Sequence, residues 1–327
     1  MIDGGAAATA LARASRRLEA AGIEDPRLEA RILMERCLGL SRVELYREPD
    51  RPLSPAELAA YESLVARRAG REPLAYVVGH REFFGLDFLV DRRVLVPRPE
   101  TELLVEEALR VLGELPLQRD RPPLPPRAGG AEQGLRGERG ARSLPSPAPV
   151  LADVGTGSGA IAVSLAVHRP DALVYAADVS AEALEVAAEN ARRHGVAGRV
   201  VPLLGDLLAP LPERVDLIAA NLPYVSAADL ARAQPEVARE PRLALDGGAD
   251  GLAVYRRLLA QAPGCLRPGG ALLFEIGAGQ GSAAVEMAAQ AFPGAAVRLL
   301  RDHAGLDRVV VVEVPATGPG GPMGVQL

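Results

Sequence analysis

The sequence predicts an α/β protein in which a mainly parallel sheet with helices on both faces follows an N-terminal helical segment. Three observations lead to this prediction. From Val150 onward, short apolar runs alternate with segments of helical periodicity. A glycine-rich loop joins the first of these runs to the helix after it. Residues 1 to about 70 carry helix signals.

Composition narrows the class of protein. The 327 residues are enough for roughly two domains. No apolar run approaches the roughly 18 residues that a membrane span needs, and the N-terminus is a poor signal peptide, so we expect a cytoplasmic protein. We also expect a monomer. The two cysteines lack CxxC spacing and the four histidines are scattered, which argues against a metal site. The net charge of -5 offers no general footprint for nucleic acid.

The first segment carries two helix starts. In "EDPRLEARIL", Asp25 is expected as the N-cap, with Pro26 at the first helical position. In "LSPAELAAYESLVARR", Ser54 and Glu57 have the spacing of a capping box. The apolar residues of this second helix fall on one face: Leu58, Tyr61 and Val65. Both a partner-recognition module and a packing subdomain are compatible with this pattern.

The pattern changes after residue 73. "LAYVVGHREFFGLDFLVDRRVLVP" is rich in β-branched and aromatic residues and is interrupted by glycines, which predicts short strands or a hairpin. Pro99 then opens a helix. The stretch from Pro116 to Pro149 is rich in proline, glycine and arginine, which predicts a disordered insertion or linker. A flexible tail is expected after Pro315.

The alternation from Val150 onward predicts a sheet of seven strands. Helices are expected between them, notably Ala181–His194, with Ser180 as its cap, and Ala253–Ala262. The candidate strands are Val150–Val154, Leu173–Asp178, Val200–Leu204, Val215–Ala220, Ala271–Ile276, Val297–Leu300 and Arg308–Val314.

The loop "DVGTGSG" follows the first strand of the sheet. Its glycines allow a tight turn and the close approach of a ligand, and the helix N-terminus beyond can face a negative group. The pattern also satisfies the GxGxxA form of a dinucleotide fingerprint, and Asp178, at the end of the second strand, suits the ribose of either NAD or S-adenosylmethionine. Asp153 can hold an ammonium group, which NAD lacks, and Asp206 ends the third strand, where an adenine could be recognised. S-adenosylmethionine is therefore the expected ligand.

The stretch "DLIAANLPYVSAADL" ends the fourth strand at Asn221. A planar amide or amino nitrogen is a poor nucleophile because its lone pair is delocalised. The side-chain carbonyl of Asn221 and the main-chain carbonyl of Leu222 can each accept one N–H and so aim that lone pair at a methyl group. Pro223 restrains the residue before it, and Tyr224 can stack on the flat group. A simple turn explains Pro223 but neither Asn221 nor Tyr224.

Together these motifs resemble those of one enzyme family. Asp153–Gly159 and Asn221–Tyr224 are joined by "PLAYVVGHREFFGLDFLVDRRVLVPRPETELLVE", "EPRLALDGGADGLAVYRRLL" and "LRPGGALLFEIGAGQG". The whole pattern resembles the peptide chain release factor glutamine N5-methyltransferases (PrmC/HemK family), whose tetrapeptide is usually Asn-Pro-Pro-Tyr. The resemblance covers most of the chain, but Leu222 replaces the first proline, which leaves a free N–H and a less restrained backbone.

The resemblance implies a function and a domain plan. A helical domain (residues 1–72) would recognise class I release factors, a β-hairpin linker (73–98) would follow, and residues 99–315 would form a seven-stranded Rossmann-like class I methyltransferase domain, with a tail at 316–327. The enzyme would transfer a methyl group from S-adenosylmethionine to the glutamine of the Gly-Gly-Gln motif.

The same resemblance implies roles for individual residues. The residues expected to hold the methyl donor are Asp153, Gly155, Thr156, Gly157, Ser158, Gly159, Asp178, Asp206, Leu207 and Asn221. The residues expected to hold the glutamine and to carry the catalysis are Asn221, Leu222, Pro223 and Tyr224, and Pro97 and Arg98 of "PRPET" are expected to line the substrate site. No metal is expected.

Four other functions stay open at this point. A glutamine methyltransferase acting on a ribosomal protein differs only in substrate. An adenine-N6 methyltransferase of DNA or RNA shares the tetrapeptide logic but would want a basic groove. A binding scaffold that has lost activity through Leu222 is a non-enzyme alternative, and an NAD-dependent dehydrogenase is the least favoured.

Overall fold

The structure is a computed structural model that describes residues 6–115 and 148–316. Nearly all of the predicted insertion and most of the predicted tail lie outside these ranges. No helix within them is long and apolar enough to cross a membrane.

The chain forms two compact units, the first from Met1–Pro99 and Pro223–Val254, the second from Glu100–Leu222 and Tyr255–Leu327. The units are interleaved along the chain, whereas the predicted domains are contiguous, and the predicted domain boundaries stay predictions.

Helices dominate the N-terminal part of the first unit. The capping box of Ser54 and Glu57 is confirmed, since each residue's backbone N–H donates to the side chain of the other. Asp25 stands at the N-cap position of the second helix, but its side chain makes no capping hydrogen bond, because its backbone (φ -115°, ψ 63°) is not the extended one that capping requires. The helices are α1 (Ala7–Ala20), α2 (Pro26–Leu38), α3 (Arg42–Arg47) and α4 (Pro55–Ala69), and they share a core that includes Leu18, Leu33, Met34 and Tyr61.

The predicted strand region contains a hairpin preceded by a short helix. Strands β1 (His80–Phe83) and β2 (Leu86–Leu89) pair antiparallel, as predicted. The strand prediction is wrong for the residues before them, which form helix α5 (Leu74–Val78). A five-residue apolar run does not distinguish a strand from a buried helical turn by its periodicity. Here Gly79 ends the helix in the left-handed conformation (φ 85°), and three residues of the turn are buried: Tyr76, Val77 and Val78.

The later segment of the first unit, residues 223–254, contains helix α9 (Ala227–Leu230) and two 3-10 turns, Val237–Arg239 and Arg242–Ala244. Two ion pairs tie it to the end of α4 and to the residues just after that helix: Glu236 lies 2.8 Å from Arg68 of α4 and 2.7 Å from Arg71. Thus the chain that follows the tetrapeptide is anchored to the helical segment.

The second unit is built on the predicted seven-stranded sheet. The strands are β3 (Val150–Val154), β4 (Leu173–Asp178), β5 (Val200–Leu204), β6 (Val215–Ala220), β7 (Leu266–Glu275), β8 (Ala296–Arg301) and β9 (Asp307–Glu313). Their order in the sheet is β5-β4-β3-β6-β7-β9-β8. Strand β9 is antiparallel to both of its neighbours, and the other pairings are parallel. Strand β7 begins five residues earlier than predicted, because Leu266 already pairs with Val215.

Helices cover the sheet. The predicted start at Pro99 is a 3-10 turn, Pro99–Thr101, that leads into the first helix of this unit. Every residue of β3 and β6 is buried, which suits central strands of a parallel sheet. Their carboxyl ends meet at one edge and bring together the residues that follow each strand. The helices are α6 (Glu102–Glu114), α7 (Ala160–His168), α8 (Ala181–Arg193), α10 (Ala253–Cys265) and α11 (Gly281–Ala291).

Candidate active site

The glycine loop lies between β3 and α7, as predicted. Gly155, Gly157 and Gly159 all have left-handed backbones, with φ of 72°, 53° and 80°. A Cβ on Gly155 would lie 2.7 Å from the side chain of Leu222, and a Cβ on Gly159 would lie 3.1 Å from Ala187. The backbone conformation therefore favours glycine at all three positions, and the close approach of neighbours adds to this at Gly155 and Gly159.

Asp153 lies at the base of this loop and is fully buried. Its Oδ2 accepts hydrogen bonds from the Thr156 hydroxyl (2.6 Å) and from the Ala162 N–H (3.0 Å). Its Oδ1 is buried and has no hydrogen-bond partner within the described residues. Burial raises the pKa of Asp153 to about 7, and the negative charge of Asp178 adds to the increase. A carboxylate in this condition is suited to a cation such as an ammonium group.

Asp178 ends β4 and holds the loop from the other side. Its Oδ2 accepts from the Gly157 N–H and its Oδ1 from the Ser180 N–H, both at 2.9 Å. The predicted cap of α8 is confirmed as Ser180, whose hydroxyl accepts from the Ala183 N–H at 3.1 Å. Asp178 thus fixes the glycine loop rather than capping the helix. Ser158 is buried, and its carbonyl accepts from Asn190 at 2.8 Å.

Asp206 and Leu207 follow β5. The Asp206 carboxylate is half exposed and forms an ion pair with Arg257 of α10. Leu207 is buried and has a left-handed backbone (φ 51°), which is uncommon for a residue with a branched side chain. The next N–H, of Leu208, donates to the side chain of Gln261 at 3.0 Å. Strain of this kind is typical of segments shaped for a ligand.

Asn221 follows β6, and its amide is held in place. Its Nδ2 donates to the hydroxyl of Thr101 at 2.9 Å, and Thr101 is buried. Because the nitrogen end of the amide is engaged by Thr101, the Oδ1 end is the acceptor that remains for another partner. The orientation of the Asn221 amide is therefore set by a residue 120 positions earlier in the chain.

Leu222 replaces the usual proline without leaving its N–H free. The side chain is buried, and the N–H donates to the hydroxyl oxygen of Tyr255 at 3.0 Å. The Tyr255 hydroxyl also lies 3.2 Å from the Leu222 carbonyl and closer still to the carbonyl of Glu275. One hydroxyl hydrogen serves one carbonyl at a time, so the Leu222 carbonyl keeps acceptor capacity. The expected loose backbone is thus restrained by Tyr255.

The remaining predicted substrate residues belong to the first unit. Pro97 is buried, and Arg98 forms an ion pair with Glu240. Pro223 and Tyr224 are both partly exposed. The structure therefore brings the predicted methyl-donor residues together within the second unit, and the tetrapeptide runs on along the chain from Leu222 into the first unit.

Sequence patterns missed four residues that shape these positions: Tyr255, Arg257, Gln261 and Glu240. The first three lie on α10, where "GLAVYRRLLAQA" gives only the signal of an amphipathic helix. Thr101 was included in "PRPET", but its hydrogen bond to Asn221 was not predicted. Each of these contacts joins distant parts of the chain, which local patterns do not report.

The fold and the loop define a Rossmann-like class I methyltransferase. Family models agree: residues 9–79 match the PrmC N-terminal domain, and residues 141–240 match the methyltransferase small domain. The chain is 43% identical over 300 residues to the release factor glutamine methyltransferase of Moorella thermoacetica, covering 91% of this chain and 95% of the relative. It is 46% identical over 268 residues to that of Geobacter sulfurreducens, covering 81% and 82%.

The chain belongs to the release factor glutamine methyltransferase family. The family predicted from the motifs is therefore confirmed. Among solved structures, a ribosomal protein L11 methylase from Lactobacillus delbrueckii subsp. bulgaricus is similar at a TM-score of 0.42 and 20% identity, covering 69% of this chain and 84% of that one. That likeness carries no argument about substrate.

Proposed function

We propose that this protein transfers a methyl group from S-adenosylmethionine to the side-chain nitrogen, N5, of the glutamine in the Gly-Gly-Gln motif of class I peptide chain release factors. The observation that carries the proposal is the Asn221 amide, whose nitrogen is held by Thr101 at 2.9 Å. Translation termination takes place in the cytoplasm, so the proposed substrate implies that the enzyme acts there.

The residues around the glycine loop fit S-adenosylmethionine, which supplies a methyl group on a positively charged sulfur. The Oδ1 of Asp153, which is buried and has no hydrogen-bond partner among residues 6–115 and 148–316, suits the ammonium of its methionine part. The backbone of the loop formed by Gly155, Thr156, Gly157, Ser158 and Gly159, whose three glycines are left-handed, is proposed to hold the methyl donor. Asp178 is proposed for the ribose hydroxyls, and Asp206 with Leu207 for the adenine.

Catalysis is proposed to rest on orientation. Asn221 Oδ1 and the Leu222 carbonyl each accept one N–H of the substrate amide, which orients the amide so that the face of its nitrogen points at the methyl group. The nitrogen bonds to the methyl carbon as the carbon–sulfur bond breaks, leaving S-adenosylhomocysteine, and it then loses one proton to solvent. Tyr224 stacks on the amide, and Pro223 restrains the backbone. The developing positive charge lies beside two carbonyl dipoles, so no strong base is needed.

The helical segment of the first unit is proposed to bind the release factor. A groove of about 770 Å³ lies among α1, α2 and α3, and its lining includes three arginines and one glutamate: Arg16, Arg27, Arg31 and Glu19. Arg16 and Arg27 have no ion-pair partner among the residues that the structure describes. Tyr46 lies at the edge of the groove and is 64% exposed. A locally positive, partly apolar groove on a chain of net charge -5 favours an acidic segment of the protein substrate.

A radiolabelled methyl-transfer assay with a panel of substrates tests the proposal. Unmodified class I release factor, ribosomal protein and adenine-containing DNA and RNA are each incubated with the protein and S-adenosylmethionine. The proposal predicts label on the release factor alone, and none with Asn221→Ala. Label on ribosomal protein or on nucleic acid instead would establish one of the alternative functions. Donor binding without any transfer would favour the inactive scaffold.

A further inference from the structure

The motif "EPRLALDGGADGL", residues 240–252, contributes to the family resemblance but has no assigned role. It lies in the later segment of the first unit, after the 3-10 turn Val237–Arg239. Its first residue, Glu240, is a charged residue whose side chain is only 2% exposed. A buried carboxylate is costly unless both of its oxygens are satisfied, so its partners indicate what it is for.

Both partners of Glu240 flank Pro97. One carboxylate oxygen accepts the backbone N–H of Val96 at 3.0 Å, and the other forms an ion pair with the guanidinium of Arg98. The stretch is held on its other side by Tyr76, whose hydroxyl donates to the Val94 carbonyl. Glu240 thus fixes the backbone and the side chain of a segment 142–144 residues away in sequence.

The other end of the motif pairs with the chain that leaves the tetrapeptide. The Val225 N–H donates to the Leu245 carbonyl at 3.0 Å, and the Gly247 N–H donates to the Val225 carbonyl at 2.9 Å. A Cβ on Gly247 would lie 2.7 Å from the Pro223 carbonyl and 2.6 Å from the Gly251 carbonyl. Both of these are backbone atoms with little freedom to move. Gly247 is therefore required for the close packing of the motif against Pro223.

One short run of chain therefore contacts two groups of proposed substrate residues. At its start Glu240 holds Pro97–Arg98, and seven residues later Gly247 packs against Pro223. The 3-10 turn Arg242–Ala244 lies between the two ends. We propose that Glu240 is a positioning residue that sets Pro97 and Arg98 in register with Pro223 and Tyr224 for the substrate glutamine. This inference rests on the proposed function.

Glu240→Gln is the informative variant. It keeps the size of the side chain, but it removes the charge and turns one acceptor into an N–H₂ group that faces a donor, either the Val96 N–H or the Arg98 guanidinium. Glu236→Gln is the matched control. Glu236 is likewise largely buried in the same segment and paired with two arginines, but those partners are Arg68 and Arg71 rather than Arg98.

The test measures kcat and KM for unmodified release factor, the Kd of S-adenosylmethionine, and the thermal midpoint of both variants. We expect Glu240→Gln to lower kcat/KM for release factor about tenfold with the Kd of S-adenosylmethionine unchanged. Both variants should lower the thermal midpoint, and by similar amounts. In Glu236→Gln, however, kcat/KM should fall less than about threefold. Amide hydrogen exchange should rise at Val96 and at Val225 in Glu240→Gln and not in Glu236→Gln.

Equal losses of kcat/KM in the two variants would overturn the inference, because Glu240 would then be a stabilising ion pair and nothing more. Unchanged exchange at Val96 and Val225 in Glu240→Gln would also overturn it, and this readout needs no activity. Wild-type protein is assayed in parallel. If it methylates no release factor, the proposed function fails and the inference falls with it, an outcome distinct from equal losses in two active variants.

Discussion

The contact between Leu222 and Tyr255 yields the sharpest prediction about how this chain manages without the usual proline. Tyr255→Phe removes the hydroxyl that accepts the Leu222 N–H at 3.0 Å in a fully buried position. A buried N–H left without an acceptor costs about 1–3 kcal/mol. We expect the free energy of unfolding to fall by about 2 kcal/mol, which corresponds to a thermal midpoint about 4–8 °C lower.

The same variant should impair catalysis. Without the Tyr255 hydroxyl the Leu222 N–H loses its acceptor, and the Leu222 carbonyl is no longer held in place. Misplacement of a substrate-orienting carbonyl by a fraction of an ångström is expected to lower kcat/KM by about tenfold. The assay is steady-state methylation of release factor together with thermal denaturation.

Tyr61→Phe is the matched control. Its hydroxyl is also buried and donates to the Ala30 carbonyl at 2.9 Å, in the first unit. It should lower stability and leave kcat/KM within about twofold of wild type, because no proposed substrate residue depends on it. If Tyr255→Phe matches Tyr61→Phe in kcat/KM, or loses no stability, the argument that Tyr255 compensates for the missing proline is refuted.

Three further predictions concern single sites. Thr101→Val should lower kcat about tenfold or more, because it releases the Asn221 amide, whereas Thr101→Ser keeps the hydroxyl and should keep kcat near that of wild type. Equal kcat values for the two variants would contradict the role of the hydroxyl. The folded-state pKa of Asp153, raised to about 7 from its usual 3.8, should make the ligand-free protein lose stability as pH rises from about 4 to about 7, because the folded state holds the proton longer. Asp153→Asn should remove this slope in thermal denaturation, and a slope that persists would assign it to other groups. Arg16→Glu should raise KM for release factor several-fold, whereas Arg17→Glu, on the same helix but outside the groove, should not; equal effects would exclude the groove as the docking surface.

Local sequence patterns predicted the sheet and the loop well because their determinants are local. In the second unit most strands follow or precede a helix, so the length of each apolar run and its flanking residues suffice to identify them. The left-handed backbone of the loop could be predicted from its glycines, because glycine adopts this conformation without strain. The capping box of Ser54 and Glu57 is likewise settled within four residues.

Predictions failed where a local pattern is ambiguous and where distant contacts decide. Leu74–Val78 is helical, which the periodicity of a five-residue apolar run does not reveal, and three of its side chains are buried. Asp25 precedes a helix without capping it, because its backbone is not extended. The partners that orient Asn221 and Leu222, namely Thr101 and Tyr255, lie 120 and 33 residues away along the chain, so no spacing rule indicated them.

The measurement that tests the central claim most directly is tandem mass spectrometry of release factor after incubation with the protein and S-adenosylmethionine. The peptide that carries Gly-Gly-Gln is fragmented to locate any added mass, with Asn221→Ala as the control. The account predicts one methyl group on the side-chain nitrogen of that glutamine with wild-type protein and none with the variant. A methyl group on another residue, or an unmodified glutamine although the methyl donor binds, would contradict it.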